Sequence, residues 1–233
     1  VYGSTCAEAN AVTTLRNGNY RIITQTDEHP AVMRAVNALA ADFQKVLGES
    51  PEVIPGGSED EGMISIMIVN ESLSPGIKRM RGLKSIEGFE SHRVYTDRSG
   101  KTIYLHGKDM RGTIYAIYSF CEEILGVPAM WYFTFWEPTV TDSIPIPDNY
   151  DYYRTSPQVR YRAWFPNDTD MFTPWKRISR DNNEKYLEMM LRLKLNTIEL
   201  GQSVSYPYVM SDMALLVSSY GLIITSHHHT ALN

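Results

Sequence analysis

Val159-Arg160-Tyr161-Arg162-Ala163-Trp164-Phe165-Pro166-Asn167-Asp168-Thr169-Asp170 is the stretch on which the reading of this chain turns. Tyr161, Trp164 and Phe165 are suited to burial, and Asn167, Asp168 and Asp170 follow a proline that stops regular strand pairing. The pattern is that of a strand end passing into a loop, at a seam between two units. Carboxylates at such a point are a common active-site arrangement in α/β barrels. Asn and Asp also favour turns on their own account, and taken alone the stretch reads as a capped turn.

Downstream, Tyr186, Met189, Met190 and Leu193 recur at helical spacing and define a helix over Glu184–Lys194, with Asn182 or Asn183 as its cap. Leu195–Leu200 reads as a parallel strand, Tyr208–Tyr220 as a crossover helix, and Leu222–Thr225 as the next strand, which runs into Ser226-His227-His228-His229. Helix–strand–helix–strand with short loops is the rhythm of a βα barrel or a doubly wound sheet. A barrel needs eight strands, so the chain is expected to be a fragment. Glu199 lies near the end of the first of these strands, His227 and His228 follow the second, and Asp168 and Asp170 precede both. In a barrel those positions converge on the catalytic rim, where carboxylates and imidazoles suit acid–base work on a polar substrate. A His run without a carboxylate or thiolate at ligand spacing does not read as a metal site.

Upstream of the seam the chain is of ordinary globular α/β character. Tyr20–Ile23 is a strand candidate. Pro30 opens a helix with the stripe Val32, Val36, Leu39, Phe43 and Val46, and Gly48 suits its C-terminal cap. Met63–Val69 is apolar at nearly every position, as a buried strand should be. Residues 70–88 form a connection. Phe89–Thr96 and Thr102–His106 are the arms of a hairpin around Asp97-Arg98-Ser99-Gly100, broken by Gly107. Arg111–Leu125 is a helix with Ile114, Ile117, Tyr118, Cys121 and Leu125 on one face. The order predicts a small sheet with helices on one face. Residues 128–158, rich in aromatics and prolines, read as a linker pressed against both units.

Composition narrows the function. The 233 residues carry a net charge of -5, with 43% hydrophobic and 21% charged residues. That describes a folded chain and argues against nucleic acid or an anionic membrane as partner. There is no run of ~18 or more apolar residues, hence no membrane span, and the two cysteines, Cys6 and Cys121, make no framework. The 15 tyrosines fit a carbohydrate-handling protein, since sugar faces stack on aromatic rings, and fit a packed core equally well.

Arg111-Gly112-Thr113-Ile114-Tyr115, followed by Gly126-Val127 and the aromatic run, resembles the accessory-domain signature of glycoside hydrolase family 115. Tyr161-Arg162 with Phe165, Asn167, Asp168 and Asp170 is similar to that family's YRG-x-F-x-NDED segment. Met190-Leu191-Arg192-Leu193-Lys194 with Asn196 resembles its first barrel helix and strand, and Thr225-Ser226-His227-His228 resembles its TSHHEP turn. The chain departs from the pattern at Phe135, Ala163, Thr169, Leu195, Glu199, His229 and Thr230. These departures bear on sugar specificity more than on fold.

The resemblance implies an α/β fold: an N-terminal accessory domain over residues 1–150, with a small mixed sheet like that of hexosaminidase accessory domains, then the first units of a TIM barrel over residues 151–233. It also implies an inverting α-glucuronidase that removes (4-O-methyl)glucuronic acid from xylan. Substrate-binding positions are then Asn167, Asp168, Asp170, Glu199, His227 and His228, with the acid and base outside this chain, no metal and no cofactor. A carbohydrate partner, a secreted or periplasmic location and a homodimer of the full-length protein are expected, and the isolated chain is expected to be inactive. The alternative is a non-catalytic carbohydrate-binding or structural accessory module.

Overall fold

A computed structural model describes residues 11–58, 62–73, 83–134, 136–164, 180–199, 204–205, 209–210 and 212–225. In chain order these form β1 (Ala11–Leu15), β2 (Tyr20–Thr24), α1 (Pro30–Leu47), β3 (Val53–Pro55), β4 (Ile64–Asn70), β5 (His92–Thr96), β6 (Thr102–Gly107) and α2 (Met110–Glu123). There follow a single 3-10 turn (Trp131–Phe133), β7 (Ile144–Pro147), β8 (Asp151–Arg154), β9 (Ala163–Trp164), α3 (Arg180–Arg192), β10 (Thr197–Glu199), β11 (Val204–Ser205), β12 (Val209–Met210), α4 (Asp212–Ser219) and β13 (Ile223–Thr225).

The largest sheet has six strands in the order β3-β2-β4-β6-β5-β8. Its first four strands run parallel, and β5 is antiparallel to both its neighbours. Both helices start where the sequence supplies a cap. The ring of His29 accepts the Ala31 amide at 3.1 Å ahead of α1, and Asp109 accepts the Gly112 amide at 2.9 Å ahead of α2. Gly48 closes α1 with φ 80°, a left-handed conformation open to glycine.

Strand alternation divides the sheet's two faces. Ile66, Ile68, Val94, Ile103 and Leu105 point into the main core with the stripes of α1 and α2, where Tyr20 stacks on Phe43 at 4.5 Å and Phe43 meets Phe120 at 5.9 Å. Each such side chain contributes about 1.5–3 kcal/mol by leaving water. The opposite face holds a smaller cluster of Val69, Tyr95 and Tyr104, with Met67 and Leu83 against it. So the helices do cover one face, as the sequence predicts.

The span 128–158 is more than a linker. Its Ile144–Pro147 pairs antiparallel with β1, and its Asp151–Arg154 forms the sheet's outer strand. There Asp151 takes two hydrogen bonds from Arg93, at 2.6 and 2.7 Å, and one from Lys84 at 2.7 Å. Gly107 does not break β6 but ends it. A Cβ there would stand 1.9 Å from the Thr113 amide nitrogen, so the residue is glycine because α2 passes directly over it. Tyr161, expected to be buried, is 60% exposed, because the chain reaches the next sheet only at Ala163. Helix α3 starts at Arg180, so Asn182 and Asn183 lie inside it rather than capping it. The predicted crossover helix is shorter than expected, since Val209–Met210 pairs with Val204–Ser205 in a small hairpin before α4 begins.

The second sheet is parallel and three-stranded, in the order β13-β10-β9. It shares the main core, since Ile198, Leu187, Met190 and Val217 pack in one continuous cluster with α1 and α2. Among the described residues no helix is long and apolar enough to cross a membrane.

Candidate active-site edge

The parallel sheet is built from very short strands held in strict register. Helix α3 ends in a tight turn: Lys194 adopts φ 61°, and the Leu195 amide donates back to the Met190 carbonyl at 2.9 Å. This reversal drops Asn196 into line with β9 and β13. Thr197 then lies beside Ala163 and Ile223, Ile198 beside Trp164 and Ile224, and Glu199 beside Thr225.

Because all three strands run the same way, their carboxyl ends form one edge. Adjacent strands lie about 4.8 Å apart, so the ends of β9 and β13 are separated by roughly 10 Å with β10 between them. Glu199 sits at the centre of that edge, 9% exposed. Asn167, Asp168 and Asp170, which follow β9, and His227 and His228, which follow β13, lie outside the described residues. The structure thus brings together the strand ends from which the predicted segments depart, and it places Glu199 directly.

The opposite, amino-terminal edge carries a group that sequence reading missed. Glu90 is 2% exposed and adopts φ 55°, which is uncommon for a side-chain-bearing residue. Its Oε1 accepts from Arg111 Nε at 2.5 Å and from Asn196 Nδ2 at 2.9 Å, and its Oε2 accepts from Arg162 Nη2 at 2.5 Å. Burial alone would raise this carboxyl's pKa. Hydrogen bonds from Asn196, Arg162 and Arg111 and the Arg162 charge outweigh burial and hold it below the usual range. Arg162 also donates through Nη2 to the Tyr115 hydroxyl at 3.2 Å and through Nε to the Lys194 carbonyl at 2.8 Å, and its amide donates to Asn196 Oδ1 at 2.8 Å. The one sequence signal was a cation, Arg162, placed just ahead of a strand at the seam.

A second buried ionic cluster ties α3 to α1. Arg192 donates to Asp42 at 2.6 Å and to Glu188 at 2.9 Å, and lies 4.7 Å over the ring of Tyr118. Lys45 and Lys185 complete it from the surface side, at 2.6 Å from Asp42 and 2.9 Å from Glu188. Cys121 is buried beside it and burial pushes its thiol far up, so it is not a nucleophile. His92 and His106 are buried in the first sheet and burial pushes both down to about 4, so neither is charged near neutrality. Among the described residues no group of three or more His, Cys, Asp or Glu is placed to hold a metal ion. A cavity of about 220 Å³ lined by Glu71, Lys84, Ile86 and Lys108 opens on the sheet face turned away from α1 and α2. Its two lysines are paired, with Asp151 and Glu71.

Residues 154–233 match the family model described as glycosyl hydrolase family 115. No curated protein sequence matches the chain. Among solved structures, a family GH115 4-O-methyl-alpha-glucuronidase with specificity for decorated arabinogalactans superposes with a TM-score of 0.72 at 20% identity over 93% of this chain. A Streptomyces plicatus N-acetyl-beta-hexosaminidase superposes at 0.55 with 10% identity over 94% of it. A GH138 enzyme targeting pectin rhamnogalacturonan II gives 0.52 at 14% identity over 88%. The chain spans 30%, 43% and 24% of those three structures. At such identities the likeness is one of fold: a mixed α/β arrangement shared with these hydrolases.

Proposed function

We propose that the chain belongs to glycosyl hydrolase family 115, whose model matches residues 154–233, and that the protein containing it is a glycoside hydrolase that removes (4-O-methyl)glucuronic acid side chains from a plant polysaccharide. In this reading β9, α3, β10, α4 and β13 are the opening units of a TIM barrel. Residues 1–150, with the outer strand β8, form its accessory unit. The carboxyl edge of the parallel sheet is part of the sugar-binding rim, with Glu199 at its middle and Asn167, Asp168, Asp170, His227 and His228 in the segments that leave it. Hydrolysis proceeds with inversion, which needs an acid and a base carboxylate about 6.5–9.5 Å apart with water between them. The remaining barrel strands supply that pair, so the 233-residue chain alone is inactive. On the same reading the protein acts in the secreted or periplasmic compartment, where plant polysaccharide is met.

The observation that carries the reading is the register of the parallel sheet. It aligns three strand ends at one edge with Glu199 on the central strand, and in the sequence Asn167, Asp168 and Asp170 follow β9 while His227 and His228 follow β13. An edge of this kind is where barrel enzymes build their sites.

The test uses the full-length polypeptide that contains this chain. It is incubated with glucuronoxylan and with a 4-O-methylglucuronate-decorated arabinogalactan. Released uronic acid is measured by chromatography, and its first-formed anomer by proton NMR. The expected result is release from at least one substrate, with the β-anomer appearing first. Glu199→Gln removes one charge-assisted hydrogen bond to sugar and lowers kcat/KM by roughly 10- to 100-fold. A folded protein that releases no uronic acid from either polymer would overturn the proposal.

A further inference from the structure

The amino-terminal ends of all three parallel strands meet one carboxylate contributed by the other sheet's side of the molecule. Glu90 holds Arg162, the residue before β9, and Asn196, the residue before β10. It also holds Arg111, whose Nη1 donates to the carbonyl of Gly221, two residues before β13, at 3.2 Å. The strand starts are cross-linked in turn. The Asn196 amide donates to the Arg162 carbonyl at 3.1 Å, and the Ile223 amide donates to the Asn196 carbonyl at 2.8 Å. Two further contacts close the arrangement. The Tyr115 hydroxyl donates to the Leu195 carbonyl at 3.2 Å, and the Glu90 amide donates to Asp109, the cap of α2, at 2.8 Å.

From this geometry we infer that Glu90 is a positioning residue: it fixes the relative register of β9, β10 and β13, and through them the carboxyl edge about 10 Å away. The strands are too short to set that register by themselves. β9 contributes two residues and β10 three, where an ordinary strand has about five or six. A slip of one residue would turn Glu199 to the other face of the sheet. The left-handed backbone of Glu90 points the same way, since a residue in that region is held there by its surroundings. Its carboxylate, held by three donors on three different segments, is such a surrounding. The consequence for turnover rests on the hydrolase reading above, whereas the positioning itself does not.

The experiment keeps the two apart. Glu90→Gln and Asn196→Ala are made in the full-length protein. Ile66→Ala, a core change in β4, serves as a control for general loss of stability. Hydrogen exchange is followed by mass spectrometry, and kcat and KM on both glucuronoxylan and the decorated arabinogalactan in parallel. Glu90→Gln is expected to speed exchange about tenfold in peptides spanning 159–164 and 193–199 while α1 and β4 keep wild-type protection. It lowers kcat/KM on the order of 10- to 100-fold, as misplaced sugar-binding groups do. Ile66→Ala speeds exchange throughout and leaves kcat of the folded fraction intact. Unchanged exchange at the edge in both Glu90→Gln and Asn196→Ala, or a rise no larger than in Ile66→Ala, overturns the inference. A wild-type protein without turnover whose edge still responds to Glu90→Gln overturns the hydrolase reading and supports the positioning role.

Discussion

Replacing Arg192 by alanine would leave Asp42 and Glu188 facing each other in the core without the cation between them. The Arg192 side chain is 2% exposed and that of Asp42 is 0%. The two remaining cations, Lys45 and Lys185, are 22% and 34% exposed, so water screens them. Removing one partner from a buried ion cluster costs about 3–5 kcal/mol, since each buried carboxylate left behind keeps only one water-screened lysine as its partner. For a chain of this size that lowers the midpoint of thermal unfolding by roughly 6–20 °C.

The loss must also depend on pH. In the wild type, burial raises the Glu188 carboxyl, but the charges of Arg192 and Lys185 and their hydrogen bonds outweigh it and hold it below its ordinary value. That ionised group contributes stability above the unfolded carboxylate pKa and loses it as pH falls. Without Arg192 the burial effect dominates, the carboxyl titrates above its unfolded value, and protonation relieves the penalty. The deficit of Arg192→Ala against wild type should therefore be larger at pH 7 than at pH 4.5, read by urea unfolding at both. The triple variant Asp42→Leu, Glu188→Met, Arg192→Met, which removes every buried charge of the cluster, should return to within about 2 kcal/mol of wild type. A deficit of Arg192→Ala under about 1 kcal/mol, or one equal at the two pH values, would refute the reasoning.

Gly107→Ala drives a methyl group into the backbone of α2, with contacts at 1.9 and 2.3 Å to Thr113. It should cost about 3 kcal/mol or more, read as a lost or strongly lowered unfolding midpoint, whereas Gly18→Ala meets no neighbouring atom and should cost only its positive-φ strain. His92 and His106, pushed down to about 4 by burial, take a proton in the unfolded chain well before they do in the folded one. Stability should then fall as pH drops from about 6.5 toward 4, by about 1.4 kcal/mol for each unit of pKa difference. His92→Gln, which keeps a partner for the Ser119 hydroxyl now 3.1 Å away, should flatten that fall, and a midpoint indifferent to pH across the window would contradict it.

The helices and inner strands were legible because their burial is one-sided and periodic. The stripe from Val32 to Val46 and the run Ile64–Val69 carry their environment in their own spacing. The outer strands were not. In β7 two prolines alternate with two isoleucines, a composition that a central strand excludes but a two-stranded ribbon tolerates. β9 and β3 are too short for a period to appear. The edge of the parallel sheet could be anticipated from the order of elements and from motif resemblance, and Glu199 stands where that order puts it. Glu90 could not. Its partners lie 21, 72 and 106 positions away, and nothing in Gly88-Phe89-Glu90-Ser91 distinguishes that carboxylate from a solvated turn residue.

Every residue of α2 from Gly112 to Cys121 is buried. Wrapped on one side by the first sheet and α1, and on the other by α3 and the turn before β10, this middle stretch of the helix has no outward surface to show. Severing the polypeptide between the two sheets would strip one wall from that helix and leave a sticky remnant rather than a free-standing module. A chimaera that kept the first half and replaced the second would have to supply a matching wall for α2.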